Sequence, residues 1–131
     1  MSNKQVVRVG EAMNGNFETI DGLMTVREAL AIMKDKQATC LIIRKRNEND
    51  EYGIVLPADI AKKVLGQDRS PERVNIYEIM TKPVISVRPD MDVRYCARLF
   101  DRFGLALAPV IENDKVLGVI GYNDIIFNGL S

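Results

Sequence analysis

The residues of this chain best suited to chemistry are two aspartates, Asp59 and Asp124. They sit at matching places in two similar stretches, GIVLPADI (Gly53–Ile60) and GVIGYNDI (Gly118–Ile125). Each stretch reads as an apolar strand running into a helix. Each carboxylate then falls in a first helical turn, where the positive end of the helix dipole favours it. The two glycines let their strands approach a neighbouring backbone closely. Two aspartates related by repetition need not converge, and no base–nucleophile pair is legible, so the chain does not read as an enzyme. It contains no histidine, which excludes a His-dependent triad and a Cys/His zinc site. Cys40 and Cys96 form no CxxC, lie in apolar surroundings, and are expected to be buried, reduced thiols.

The elements that position these aspartates are repeated. Val7, Glu11, Met13, Met24, Val26 and Arg27 match Val74, Glu78, Met80, Met91, Val93 and Arg94 at one constant spacing. The register slips only in the hairpins, where RKRNENDEY stands against the shorter ENDKV. Hairpin tips are solvated and tolerate such differences. Each copy opens with a short strand (VRV, VNI), then EAM or EIM, then a Gly- or Pro-bearing turn. A strand is expected at VISV, and less clearly at its counterpart FETI.

A helix follows, with Thr25 and Glu28 as a capping box in the first copy and Asp92 as N-cap in the second. Two strands joined by a polar hairpin come next, and a short helix closes each copy, with Pro57 near its start in the first. Each copy therefore reads β-β-α-β-β-α, an α+β fold. The expected organisation is a repeat over 7–65, a linker over 66–73 (GQDRSPER) and a second repeat over 74–130. One copy is too small to bury both faces of its helices, so the two are expected to pack sheet to sheet with pseudo-two-fold symmetry.

Composition narrows the class further. Lys plus Arg and Asp plus Glu each number 18, for a net charge of zero, and no basic face stands out. Nucleic-acid binding is not expected. The N-terminal MSNKQVVRVG lacks an apolar h-region, and no run approaches the ~20 residues that span a bilayer. A cytoplasmic protein without membrane association is expected.

This grammar resembles a tandem cystathionine-β-synthase (CBS) domain pair, the Bateman module. The resemblance rests on EAM, EIMTKPVISVRPDMDVRYCARLF and ALAPVIENDKVLGVIGYNDII, and covers the chain from about Val7 to Leu130. No catalytic or DNA-binding domain is evident, so it looks like a stand-alone pair. The resemblance implies a regulatory module that needs no cofactor. Such pairs bind AMP, ADP, ATP, NAD or S-adenosylmethionine in clefts between repeats, form homodimers, and signal to a protein partner by changing shape. The alternative is a dimeric scaffold whose clefts stay empty.

The resemblance also assigns residues. Asp59 and Asp124 match the family's ribose-binding aspartate, and a carboxylate can accept from both hydroxyls of a cis-diol. The family's phosphate-binding Ser or Thr is missing: Leu56 and Gly121 stand in its place. Gly121 still brings a backbone N–H at a helix start. Tyr122 and Asn123 follow it, and Ala58 precedes Asp59. Thr81, Lys82, Pro83, Val84 and Ile85 match the segment that lines the adenine pocket, and Phe17 lies in the corresponding first-repeat segment. Leu107 and Ala108, with Thr39 and Cys40 in the first repeat, match the third lining segment. Arg44, Lys45 and Arg46 are expected on a solvated hairpin. Leu30, Met33, Leu99, Phe100 and Phe103 are expected near a dimer interface.

Overall fold

Thr25 and Glu28 form the expected capping box. The threonine hydroxyl accepts the Glu28 N–H at 3.1 Å, and the glutamate accepts the Thr25 N–H at 3.0 Å. The helix they start, α2 (Val26–Lys36), buries Val26 and Ala29 and ends at Gln37 in the left-handed region. Asp92 likewise caps α4 (Val93–Phe103) by accepting the Arg94 N–H, and Gly104 ends that helix at φ 64°. The remaining elements are α1 (Val9–Ala12), β1 (Phe17–Ile20), β2 (Cys40–Ile43), β3 (Gly53–Val55), α3 (Pro57–Lys63), β4 (Leu107–Glu112), β5 (Lys115–Gly121) and α5 (Tyr122–Gly129), with short 3-10 turns at Leu65–Gln67 and Ile76–Glu78. The computed structural model describes residues 5–130. Among them, no helix is long and apolar enough to cross a membrane.

The chain divides into two compact units, and the division does not follow the repeats. One unit is Asn16–Val84; the other joins the segment ending at Gly15 to the chain from Ile85 onward. The residues read as a linker lie inside the first of these, where the Arg27 N–H donates to the Pro71 carbonyl and Arg69 pairs with Glu78.

In the Asn16–Val84 unit, β1 and β2 run parallel and β3 returns antiparallel, in the order β1-β2-β3. Every side chain of β2 is buried, which is why CLII reads as a continuous apolar run rather than an alternating one. Its core gathers Val26, Leu41, Ile43, Val55, Val74 and Ile76. In the other unit, β4 and β5 form an antiparallel pair, and Val9, Val93, Cys96, Phe100, Val110 and Ile120 form the core. The two cysteines are the buried free thiols the sequence implied. Phe100 is fully buried in this core, not at a surface where a second copy could reach it.

The α+β class holds, but several strand assignments change. VRV and VNI are not strands: Arg8 and Asn75 make single bridges to Asp92 and Thr25, and short helical turns, Val9–Ala12 and Ile76–Glu78, run into EAM and EIM. FETI, the weaker expectation, is a full strand, whereas VISV keeps one bridge, Val87 to Val110. Proline explains the reversal. The Val87 bridge uses the Val87 N–H to the Pro109 carbonyl and the Ile111 N–H to the Val87 carbonyl. Extending the parallel ladder toward Ile85 would require an N–H from Pro109, which has none. The corresponding residue of the first repeat is Ile42, whose N–H leaves the β1–β2 ladder intact.

Candidate functional site

Asp124 sits at the third position of α5, and its carboxylate is held on one side only. Oδ2 accepts the Gly121 N–H at 2.9 Å and the Asn14 side-chain amide at 2.8 Å. Among the described residues, no bond is made by Oδ1. Asn14 reaches this helix because its backbone pairs with Val119 in both directions, at 2.8 and 2.9 Å. That pairing depends on Gly118: a Cβ there would lie 2.9 Å from the Asn14 carbonyl.

Asp59 occupies the same position in α3. Its Oδ2 accepts the Leu56 N–H at 2.8 Å, but its Oδ1 lies 3.6 Å from the Lys63 ammonium, which also donates to the Ile79 carbonyl. Both aspartates therefore cap their helices, and of the two, Asp124 is the one with an oxygen unengaged among the described residues.

The other expected residues divide between the units. With Asp124 lie Gly121, Tyr122, Asn123, Leu107, Ala108 and Ile85. Leu107 is paired with Gly121, and its side chain passes 3.9 Å from where a Gly121 Cβ would stand. Ala108 points into the core. Tyr122 packs edge-on against Phe100, with centroids 5.2 Å apart, while Asn123 is exposed. The Gly121 N–H is not available to cradle an anion, because the Asp124 carboxylate already takes it.

Thr81, Lys82, Pro83 and Val84 lie in the unit of Asp59, with Ala58, Phe17, Thr39 and Cys40. Thr81 pairs with Ile54 of β3, as Asn14 does with Val119. Thr39 donates to the Asn16 carbonyl through both its N–H and its hydroxyl. Cys40 is fully buried, and desolvation pushes its thiol up to about 12. Lys82 is neither solvated nor open to a phosphate on all sides: its ammonium pairs with Asp50 at 2.5 Å. The structure thus adds Asn14 as the partner of Asp124. The signal was present, since Asn14 and Thr81 are the polar residues that follow the repeated methionines.

Comparison with known proteins bears on the family and the fold. The family model described as the CBS domain matches twice, over residues 9–66 and 76–130. An uncharacterised protein of Methanopyrus kandleri is 31% identical over 92% of the chain, which spans 61% of that relative. The homoserine O-acetyltransferase of Methanosalsum zhilinae is 32% identical, but the chain spans only 23% of it. The hexameric CBS-CP12 protein from bloom-forming cyanobacteria superposes with a TM-score of 0.90 at 41% identity, over 95% of this chain and 72% of that one. The CBS domain pair of protein MJ0100, solved with 5′-methylthioadenosine and S-adenosyl-L-methionine, gives 0.77 at 26% identity, over 93% and 98%. With two matches that together cover most of its length, the chain belongs to the CBS-domain family.

Proposed function

We propose that the two repeats act together as a regulatory module, without catalytic activity of their own, that takes an adenosine-type ligand on Asp124. The observation that carries this reading is the one-sided anchoring of that carboxylate. Gly121 and Asn14 hold Oδ2 in place, and Oδ1 remains to accept from the ribose diol. Hydrogen bonds to a charged acceptor contribute about 1.5–3 kcal/mol. Asp59, with Lys63 beside its second oxygen, is the weaker candidate.

The ligand class follows from what the helix starts lack. Neither Leu56 nor Gly121 has a side chain that bonds phosphate, and the N–H of each is taken by its own aspartate. An adenosine thioether, such as 5′-methylthioadenosine or S-adenosylmethionine, demands no phosphate seat, and MJ0100 was solved with both. AMP, ADP, ATP and NAD are expected to bind more weakly.

Signalling to a protein partner would then follow from differential affinity for two arrangements of the chain. We place this module in the cytoplasm as a homodimer. An apolar groove of about 530 Å³ between α2 and α3, floored by Leu30, Met33, Ile60 and Val64, is the face a second copy would cover.

Titration calorimetry with each compound, on wild type, Asp124→Asn and Asp59→Asn, tests the reading. Asn at 124 can still accept the Gly121 N–H, so folding is preserved while the charged diol acceptor is lost. Thioether binding weakened at least tenfold in Asp124→Asn, and little in Asp59→Asn, is expected. Equal losses, or phosphate nucleotides binding tightest, would overturn it. The scaffold reading has its own support in the capping role of both aspartates and the Tyr122–Phe100 packing. No binding of any compound would establish it.

A further inference from the structure

At the other end of the Asn16–Val84 sheet from Asp59 lies a second cleft, of about 470 Å³. It opens where β1 and β2 end, so Asp21, Gly22 and Leu23 form one wall, and Arg44, Lys45 and Arg46 form another. Tyr77, Met80 and Lys82 close it. Four cations thus face one space. Among the described residues Asp21 is the one acid in its lining, with Oδ1 engaged by the Leu23 N–H at 2.8 Å, and Asp50 stands behind it against Lys82 and Arg46.

Three of these cations are tied to the fold, although Arg44 and Arg46 stay exposed as a solvated hairpin would have them, Arg46 with 83% of its side chain. Asp50, with a side chain 9% exposed, holds Lys82 at 2.5 Å, accepts the Arg46 N–H at 2.8 Å, and lies 3.4 Å from its guanidinium. Arg44 donates to the Thr19 carbonyl at 3.2 Å, a neutral partner that leaves its charge uncompensated. Gly22 keeps the cleft open against Tyr77: a Cβ there would stand 3.3 Å from both the Tyr77 Cβ and Ile43. Half of Tyr77 is exposed, and with Met80 and Ile43 it supplies an apolar surface beside the cationic wall.

We propose that this cleft binds a small phosphorylated ligand that carries a ring. Arg44, Arg46 and Lys82 meet the phosphate, and Tyr77 with Met80 meets the ring. The guanidinium groups match phosphate oxygens in geometry, and the ammonium adds a point charge. The volume is within the range of small-molecule sites. The site is independent of Asp124 and requires no adenosine.

The test uses phenyl phosphate and inorganic phosphate, neither of which can engage a ribose-binding aspartate, followed by amide NMR on the full chain. Phenyl phosphate is expected to shift the Gly22, Arg46 and Tyr77 amides saturably and to bind at least tenfold tighter than inorganic phosphate. Tyr77→Ala should remove that preference. Arg44→Gln and Lys82→Gln should each weaken binding at least fivefold. Lys82→Gln disturbs the Asp50 pair, so Arg44→Gln, which leaves that pair intact, serves as the decisive variant. Unmoved Val26 and Val55 amides confirm a folded unit. No saturable shift, or undiminished binding in folded Arg44→Gln, would overturn the site. Equal affinity for the two probes would overturn the ring-binding part. None of these outcomes bears on Asp124.

Discussion

Replacing Gly118 with alanine should cost more than the same change at Gly53, although the sequence treats the two glycines alike. A Cβ on Gly118 would stand 2.9 Å from the Asn14 carbonyl oxygen and 2.8 Å from the Met13 sulfur. The sulfur can swing aside. The carbonyl cannot, because it accepts the Val119 N–H at 2.9 Å in the bridge that fixes Asn14. On Gly53 the tightest contact is the Met80 sulfur, at 2.6 Å, and the next is Ile43 Cβ at 3.2 Å, with no backbone atom among them.

Overpacking costs typically about 1–3 kcal/mol, and the lost flexibility of the unfolded glycine returns about 0.4–1 kcal/mol. Gly118→Ala should therefore destabilise by about 2 kcal/mol. For a chain of this size that lowers the melting temperature by roughly 6–8 °C. Gly53→Ala should lose about 1 kcal/mol or less. Urea denaturation at constant slope reads both values. Met80→Ala should relieve most of the Gly53→Ala penalty in a double-mutant cycle, whereas Met13→Ala should relieve little of the Gly118→Ala penalty. A Gly118→Ala protein as stable as Gly53→Ala, or rescued by trimming Met13, would refute the backbone argument.

Three further outcomes are expected. Thr25→Ala removes the acceptor of the Glu28 N–H and should cost about 1 kcal/mol in urea denaturation; no loss would mean the cap is idle. The Lys82 hydrogen bond, with backbone N–H groups, holds the Asp50 carboxyl well below its ordinary range. Its stabilisation is therefore complete above the unfolded value near pH 4 and fades as pH falls below it. Lys82→Met should accordingly lower the urea midpoint more at pH 7 than at pH 2, and equal losses would contradict the pairing. Desolvation pushes the Cys40 thiol up to about 12 and Cys96 up to about 11. Both should resist iodoacetamide at pH 8 until the chain unfolds, and rapid labelling of either in the folded protein would contradict their burial.

Local chemistry was legible in the sequence wherever a few neighbouring residues decide it. Thr25 with Glu28, Asp92, Pro57 and the two helix-start aspartates all stand where their types and spacing placed them. What could not be read was pairing at a distance. VISV has the β-branched content of a strand, yet its ladder fails because of Pro109, a residue on the partner. Thr81, after Met80, was assigned to the site, but its counterpart Asn14, after Met13, was not. Nothing near Asn14 or Thr81 says that Asn14 joins Asp124, or that Thr81 pairs beside the strand leading to Asp59. The Gly121 N–H was assigned to a ligand because the sequence does not show a carboxylate folding back onto it. Arg44 and Arg46 are exposed as read, but the tie from the hairpin through Asp50 to Lys82 was not legible, because those two residues are remote from each other in sequence.

The segment ending at Gly15 has a consequence for the order in which the chain is made. It leaves the ribosome before the Asn16–Val84 unit, yet its hydrogen-bond partners, among them Met91 and Val119, are synthesised last. The middle unit is complete once Val84 has emerged and is free to fold on its own schedule. The leading segment must wait, with Val9 and Ala12 exposed, until the residues that bury them exist. Closing that connection across about seventy intervening residues is less costly when they are already folded than when they are loose. Vectorial synthesis therefore favours one sequence of events, middle first and ends together. A chain refolding from denaturant has no such schedule.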